Sequence, residues 1–254
     1  MLARLIGEHE SVSAIEDAPV PENEGCYLQG AIPHTARHGI PGHFATDPAQ
    51  HLTETHPLNS LETKLRLEAD WAPWFDDAAP WRIEKSPVNL TRLRLLQALC
   101  PLSQFVIVTR HPLFMAEALQ KWSDQSVEEL ARYGVAAYRT MLEDIEYLHC
   151  AMVLRYEDLI ERPANHVAAM EAFLDLRPQI APSGLRSGNA DYRAPTCSDG
   201  TIVELGYGDD GTIEPFRAIV RHPLRSIRES VDAKLYETSR YGQPEKEQKA
   251  NICQ

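Results

Sequence analysis

Two cations in this chain, Lys85 and Arg110, stand in the same local setting. Each follows a short run rich in aromatic and β-branched residues, and each precedes a proline, Pro87 or Pro112, placed as the first residue of a helix. In an open α/β sheet, a strand that runs into a helix delivers the residues between them to the carboxyl edge, where ligands collect. The helix N-terminus adds unpaired N–H groups that favour an anion. The chemistry open to such a pair is therefore the holding of a phosphate or a related anion. The alternative is a charged side chain that leaves a buried strand for water. Recurrence of the pattern on two successive units favours the anion site.

The elements that must position these cations can be read from periodicity. Residues 105–108 form a continuous apolar run of the kind found in a strand covered on both faces. Residues 81–83 read as a shorter strand, with Ser86 as N-cap of a helix that continues through Val88, Leu95, Leu96 and Leu99 and stops at Pro101. Residues 127–149 carry a helical stripe of Leu130, Tyr133, Ala137, Met141 and Ile145, and lead into a third strand at residues 150–155. A helix opened by Pro163 and a last one over residues 223–240 complete the pattern. Strands that alternate with helices predict an α/β domain around a parallel sheet, with both cations on one edge. Ahead of these units lie a short helix over residues 2–8, a candidate strand at residues 11–15, and a helix ending at Trp71 with periodicity through Leu61, Leu65 and Ala69. Trp71, Trp74 and Phe75 belong either to the core or to an acceptor pocket. The tetrapeptide Arg-His-Pro-Leu occurs at Arg110 and again at Arg221, with flanks that do not match, and reads as chance rather than an internal repeat.

With 254 residues and 43% hydrophobic content, the chain is expected to form one α/β domain over residues 1–243. That domain includes a long loop region at 176–212, and a charged tail follows at 244–254. A net charge of −12 argues against nucleic acid and anionic membranes as partners, because the long-range field repels polyanions. No apolar run approaches the roughly 20 residues that cross a bilayer, so no membrane span and a cytoplasmic location are expected. The five cysteines, widely spaced, read as reduced. His34 and His38 have helical metal-ligand spacing, but Pro33 and Gly39 break any helix there, so loop histidines and no metal are expected.

Three motifs in order carry a family resemblance: Glu84-Lys85-Ser86-Pro87, the strand that ends at Arg110-His111-Pro112, and Arg155-Tyr156-Glu157-Asp158-Leu159. With the segment from Pro19 to Gly25, Leu28-Gln29 and the closing Arg240-Tyr241-Gly242, they resemble bacterial sulfotransferases that use 3′-phosphoadenosine 5′-phosphosulfate (PAPS). The resemblance implies a P-loop-like three-layer sandwich and PAPS as co-substrate, with no metal. The acceptor would be a small molecule or a glycan, with a hydroxyl or amine as nucleophile; nothing in the sequence sets its identity or the oligomeric state. By resemblance Arg110 binds the 3′-phosphate, Tyr156 lies against the adenine, and Lys85 stabilises charge on the sulfuryl group as it transfers. Glu16 and Asp17 fall where related enzymes keep the base that deprotonates the acceptor, with Glu22, Glu24 and His43 as further candidates.

The chain also departs from the family. Its first helix begins at Met1, so the strand and glycine-rich loop that cradle the 5′-phosphosulfate, and that normally precede this helix, are expected to be missing, together with a central ladder partner. No hydroxyl occurs from His111 to Lys121 to share the 3′-phosphate with Arg110, which would leave backbone amides and His111 beside it. The loop region lacks the family's basic glycine-containing clamp, with Arg186 and Arg193 as candidate substitutes. The alternative function is accordingly a catalytically silent relative that binds an adenine nucleotide or a protein partner.

Overall fold

The computed structural model describes residues 2–35, 41–182, 185–189, 192 and 201–236. Its centre is strand β4 (Ala151–Arg155), every residue of which is buried. Strand β3 (Phe105–Thr109) lies parallel to it, with Val106 opposite Met152 and Val108 opposite Leu154. Strand β5 (Ile219–Arg221) is antiparallel on the other side, with Val220 opposite Met152. Because side chains alternate along a strand, these residues divide between two faces. Val106, Val108, Met152, Leu154 and Val220 enter one apolar cluster, and Phe105, Ile107, Ala151, Val153 and Ile219 enter another.

Helices cover both faces. The first cluster is closed by α1 (Leu2–Gly7), α6 (Tyr156–Glu161), α7 (Pro163–Phe173) and α8 (Arg225–Tyr236), through Ile6, Leu159, Phe173 and Val231. The second is closed chiefly by α5 (Val127–Asp144), with Val135, Tyr138 and Met141. Ser126 caps α5 with a reciprocal capping box to Glu129. The three layers expected from the sequence are present.

The parallel strands form two sheets. Strand β1 (Val12–Ala14) pairs with β2 (Trp81–Ile83), and among the described residues β2 has no other strand partner, while β3 pairs only with β4. Val12, Trp81 and Ile83 nevertheless share the first cluster with Val106 and Val108. With one edge unpaired, Phe105, Val106 and Val108 are half-buried, so the strand expected to be covered on both faces is β4 rather than β3.

Three local expectations change. The helix after Lys85 is broken: Pro87–Thr91 is a 3-10 stretch, and α3 (Leu93–Leu99) starts only after Arg92 leaves helical geometry. Ser86 makes no capping bond, because its hydroxyl is used elsewhere. Helix α2 (Leu61–Trp71) has the expected period but another phase, burying Thr63 and Leu67 and leaving Leu61 70% and Leu65 56% exposed. The histidine-rich loop is also packed more closely than loop histidines in solvent would be. Phe44, Ile32 and Leu52 are buried, and His51 Nε2 lies 3.0 Å from the buried carboxylate of Asp144. His38, Arg193 and the tail from 244 lie outside the described residues.

Candidate active site

At the end of β3 the backbone is pinned before any side chain acts. The Arg110 N–H donates to the Tyr138 hydroxyl (2.9 Å), which donates back to the Arg110 carbonyl (3.1 Å). His111 is fully buried at the N-cap of α4 (Pro112–Leu119); its Nδ1 accepts from the Leu113 N–H, and its Nε2 lies 3.1 Å from the Gly208 carbonyl. That pairing fixes the proton on Nε2, and burial holds the imidazole below its ordinary pKa. Both ring nitrogens are committed to the backbone, so His111 positions the turn and is not placed to share a phosphate.

The Arg110 side chain turns toward residues 188, 189 and 192. Its Nε donates to Asn189 Oδ1 at 2.7 Å and its Nη2 to the Gly188 carbonyl at 3.1 Å. The guanidinium lies 5.3 Å from the Tyr156 ring and 5.4 Å from the Tyr192 ring. Tyr156, the first residue after β4, donates its hydroxyl to the Arg186 carbonyl and accepts from the Gly188 N–H at 2.6 Å. Parallel pairing of β3 and β4 in register, Thr109 opposite Arg155, brings the two candidate nucleotide residues side by side. Glu157 ties the surroundings together, accepting from the His111 N–H, Asn189 Nδ2 and the Tyr207 hydroxyl at 3.0–3.1 Å. The sequence pointed to Glu157 only as a neighbour in a motif. Asn189 and Tyr207 carried no sequence signal, because they reach the site through irregular chain.

At the end of β2 the segment 21–27 folds over Lys85. Its ammonium donates to the Glu22 carbonyl at 2.9 Å and lies 3.5 Å from Glu24 Oε1. The Glu24 side chain is 15% exposed, and burial raises its pKa above the ordinary carboxylate range, with Lys85 only partly opposing. Next to it Glu84 accepts from Ser86 Oγ and from Asn89 Nδ2 at 2.5 Å. Burial raises this carboxyl as well, against those donors. The Cys26 N–H donates to Ser86 Oγ, and Trp71 Nε1 donates to the Gly25 carbonyl, so the segment is clamped from two sides. Gly25 is required there, since any Cβ would collide with the Glu84 side chain. Burial pushes the Cys26 thiol up to about 11, which keeps it a thiol.

Glu16 and Asp17 sit exposed in the turn after β1, Asp17 with a φ of 49°, and no hydrogen bond or ion pair ties either to Lys85. His43 meets Tyr133 edge-on. Lys85 and Glu24 are thus brought together, as are Arg110 and Tyr156, while Glu16 and Asp17 stand apart from both pairs. Among the described residues no group of three or more His, Cys, Asp or Glu could hold a metal, and no helix is long and apolar enough to cross a membrane.

A family model described as Sulfotransferase family matches residues 5–179. The match spans Lys85, Arg110 and Tyr156, and ends before Asn189. No curated protein and no solved structure matches the chain.

Proposed function

The chain belongs to the sulfotransferase family, and from that premise we propose that it moves a sulfuryl group from PAPS to a hydroxyl or amine of a small-molecule or glycan acceptor. The observation that carries the reading is the convergence of Arg110 and Tyr156 from adjacent strand ends, a cation fork beside an aromatic face. That donor set suits a phosphate next to a purine. Lys85, at the end of β2, would neutralise charge on the bridging oxygen as the sulfur–oxygen bond of the phosphosulfate breaks.

Glu24 is the carboxylate held beside Lys85, and we assign it the proton of the acceptor as the new bond to sulfur forms. Glu16 and Asp17, which the resemblance puts in that role, have no comparable link to Lys85. A base must be ionised, so a raised Glu24 pKa places the acid limb of turnover above the usual carboxylate value of about 4.3. Glu24→Gln should cut turnover by about 10²-fold or more and abolish that limb, read as release of adenosine 3′,5′-bisphosphate from PAPS across a panel of acceptors. An unchanged limb in this variant, with loss in Glu16→Gln, would return the role to Glu16. Lys85→Ala should lower turnover more than nucleotide affinity.

A second reading, a catalytically silent nucleotide binder, is favoured by the edges of β2 and β3 that no strand pairs among the described residues. A strand between them would join the two sheets. Calorimetry and turnover on the same chain separate the readings: binding of adenosine 3′,5′-bisphosphate with no sulfuryl transfer from PAPS to any acceptor of the panel marks the chain as the binder.

A further inference from the structure

The fork of Arg110 is already engaged, and by oxygens that carry no charge. Nε and Nη2 lie along one edge of the guanidinium, the edge that grips a phosphate or carboxylate bidentately. Here that edge is met by Asn189 Oδ1 at 2.7 Å and the Gly188 carbonyl at 3.1 Å. The same few residues satisfy Tyr156, whose hydroxyl binds the Arg186 carbonyl and the Gly188 N–H. Asn189 also spans the charges of the site, since its Nδ2 donates to Glu157 Oε1 at 3.1 Å while its oxygen accepts from Arg110. One carboxamide therefore holds a cation and an anion in place, and one short stretch takes the polar groups of both candidate nucleotide residues.

We propose that residues 186–189 form a displaceable strap, with Asn189 as its latch, and that a bound phosphate takes the two positions on Arg110 now filled by Asn189 and Gly188. This rests on the assignment of Arg110 as the phosphate residue. The exchange is favoured because the guanidinium then faces charged phosphate oxygens in place of neutral ones, which adds a charge–charge attraction to the same two hydrogen bonds. It is opposed by the loss of the Asn189 bond to Glu157 and of the backbone bonds to Tyr156. Nucleotide affinity is then lowered by the fraction of molecules whose strap is closed, and weakening the latch raises it. The strap is the reverse of a clamp, which would add contacts to the ligand and protect itself on binding.

Adenosine 3′,5′-bisphosphate is the probe, titrated by calorimetry into the full chain, Asn189→Ala and Arg110→Ala, with hydrogen exchange followed over residues 185–189. Asn189→Ala should bind about tenfold more tightly, and the nucleotide should speed exchange at 185–189 in the wild-type chain. Weaker or equal binding by Asn189→Ala, or slower exchange with nucleotide, overturns the strap. If Arg110→Ala binds as well as the wild type, the phosphate assignment itself fails. Loss of binding in Arg110→Ala with no gain in Asn189→Ala rejects the strap alone.

Discussion

The same four residues, Arg-His-Pro-Leu, leave a strand at two places in the molecule, after β3 and at the end of β5. In both, the histidine Nδ1 accepts the N–H two residues on, at 3.3 Å for His111 and Leu113 and 3.1 Å for His222 and Leu224. In both a proline follows where no N–H is needed. What read as coincidence in sequence is thus a shared local device, a histidine cap at a strand exit. The arginines differ completely. Arg110 points between two tyrosines toward hydrogen-bond acceptors, whereas Arg221 pairs with Glu146 through its carboxylate and its backbone carbonyl. The tetrapeptide sets the turn. Whether its cation can serve a ligand is decided by what the sheet places opposite, and β5 runs antiparallel, so its exit lies at the other end of the sheet from that of β3.

The largest expected contrast between the two exits is in nucleotide binding. Arg110→Ala removes one or two charge-assisted bonds and should weaken adenosine 3′,5′-bisphosphate binding by about 1.5–3 kcal/mol, whereas Arg221→Ala should leave it unchanged. Equal losses in the two variants, measured by calorimetry at one salt concentration, would mean that general charge rather than placement draws the anion.

The histidines sharpen the comparison further. His111 is fully buried with both nitrogens bonded, so His111→Ala leaves the Gly208 carbonyl and the Leu113 N–H without their partner and should cost about 2–3 kcal/mol. His222 is 8% exposed and makes the capping bond, so His222→Ala should cost nearer 1 kcal/mol in denaturant titrations. pH separates a cap from a proton site. The folded pKa of His111 is lowered by burial, so its share of stability is fully present above the unfolded value of about 6.5 and is lost as pH falls from there toward the folded value. His111→Asn keeps a capping acceptor but no titrating group, and should flatten that decline. His166, also lowered by burial, keeps the decline from vanishing.

What was legible in the sequence is what neighbouring residues decide among themselves. The β3 exit could be read because an apolar run, a cation and a proline sit in one short stretch, and β4 because its run is apolar throughout. The split of the sheet could not be seen in β3 itself, since Phe105–Thr109 has the same apolar character whether one edge or both are paired. Helix α2 shows the limit of periodicity. Its repeat is plain, but its phase is set by Leu67 packing with Ala31, Ile32 and Leu52 and by the Trp71 bond to Gly25, all of them partners outside the helix. Glu24 likewise looked like any loop acid, because the cation that gives it a role comes 61 residues later. Asn189 had no pattern at all to announce it.

The smallest expected effect concerns the partner of Arg221. That arginine is 33% exposed and Glu146 is 66% exposed, so their ion pair is screened by water and salt. Glu146→Ala should change stability by no more than about 0.5 kcal/mol, and less at high salt than at low. It should also free Arg221 of its charged partner, leaving only the bond to the backbone carbonyl of residue 146, which makes it a test of placement as well as of stability. If a freed Arg221 then bound adenosine 3′,5′-bisphosphate, the availability of a cation, rather than its company of Tyr156 and a neighbouring parallel strand end, would be enough to make a site. The expectation is that it binds nothing measurable, because Arg221 lacks the aromatic face that frames Arg110 and stands opposite the beginning of β4 rather than the carboxyl end of a parallel strand.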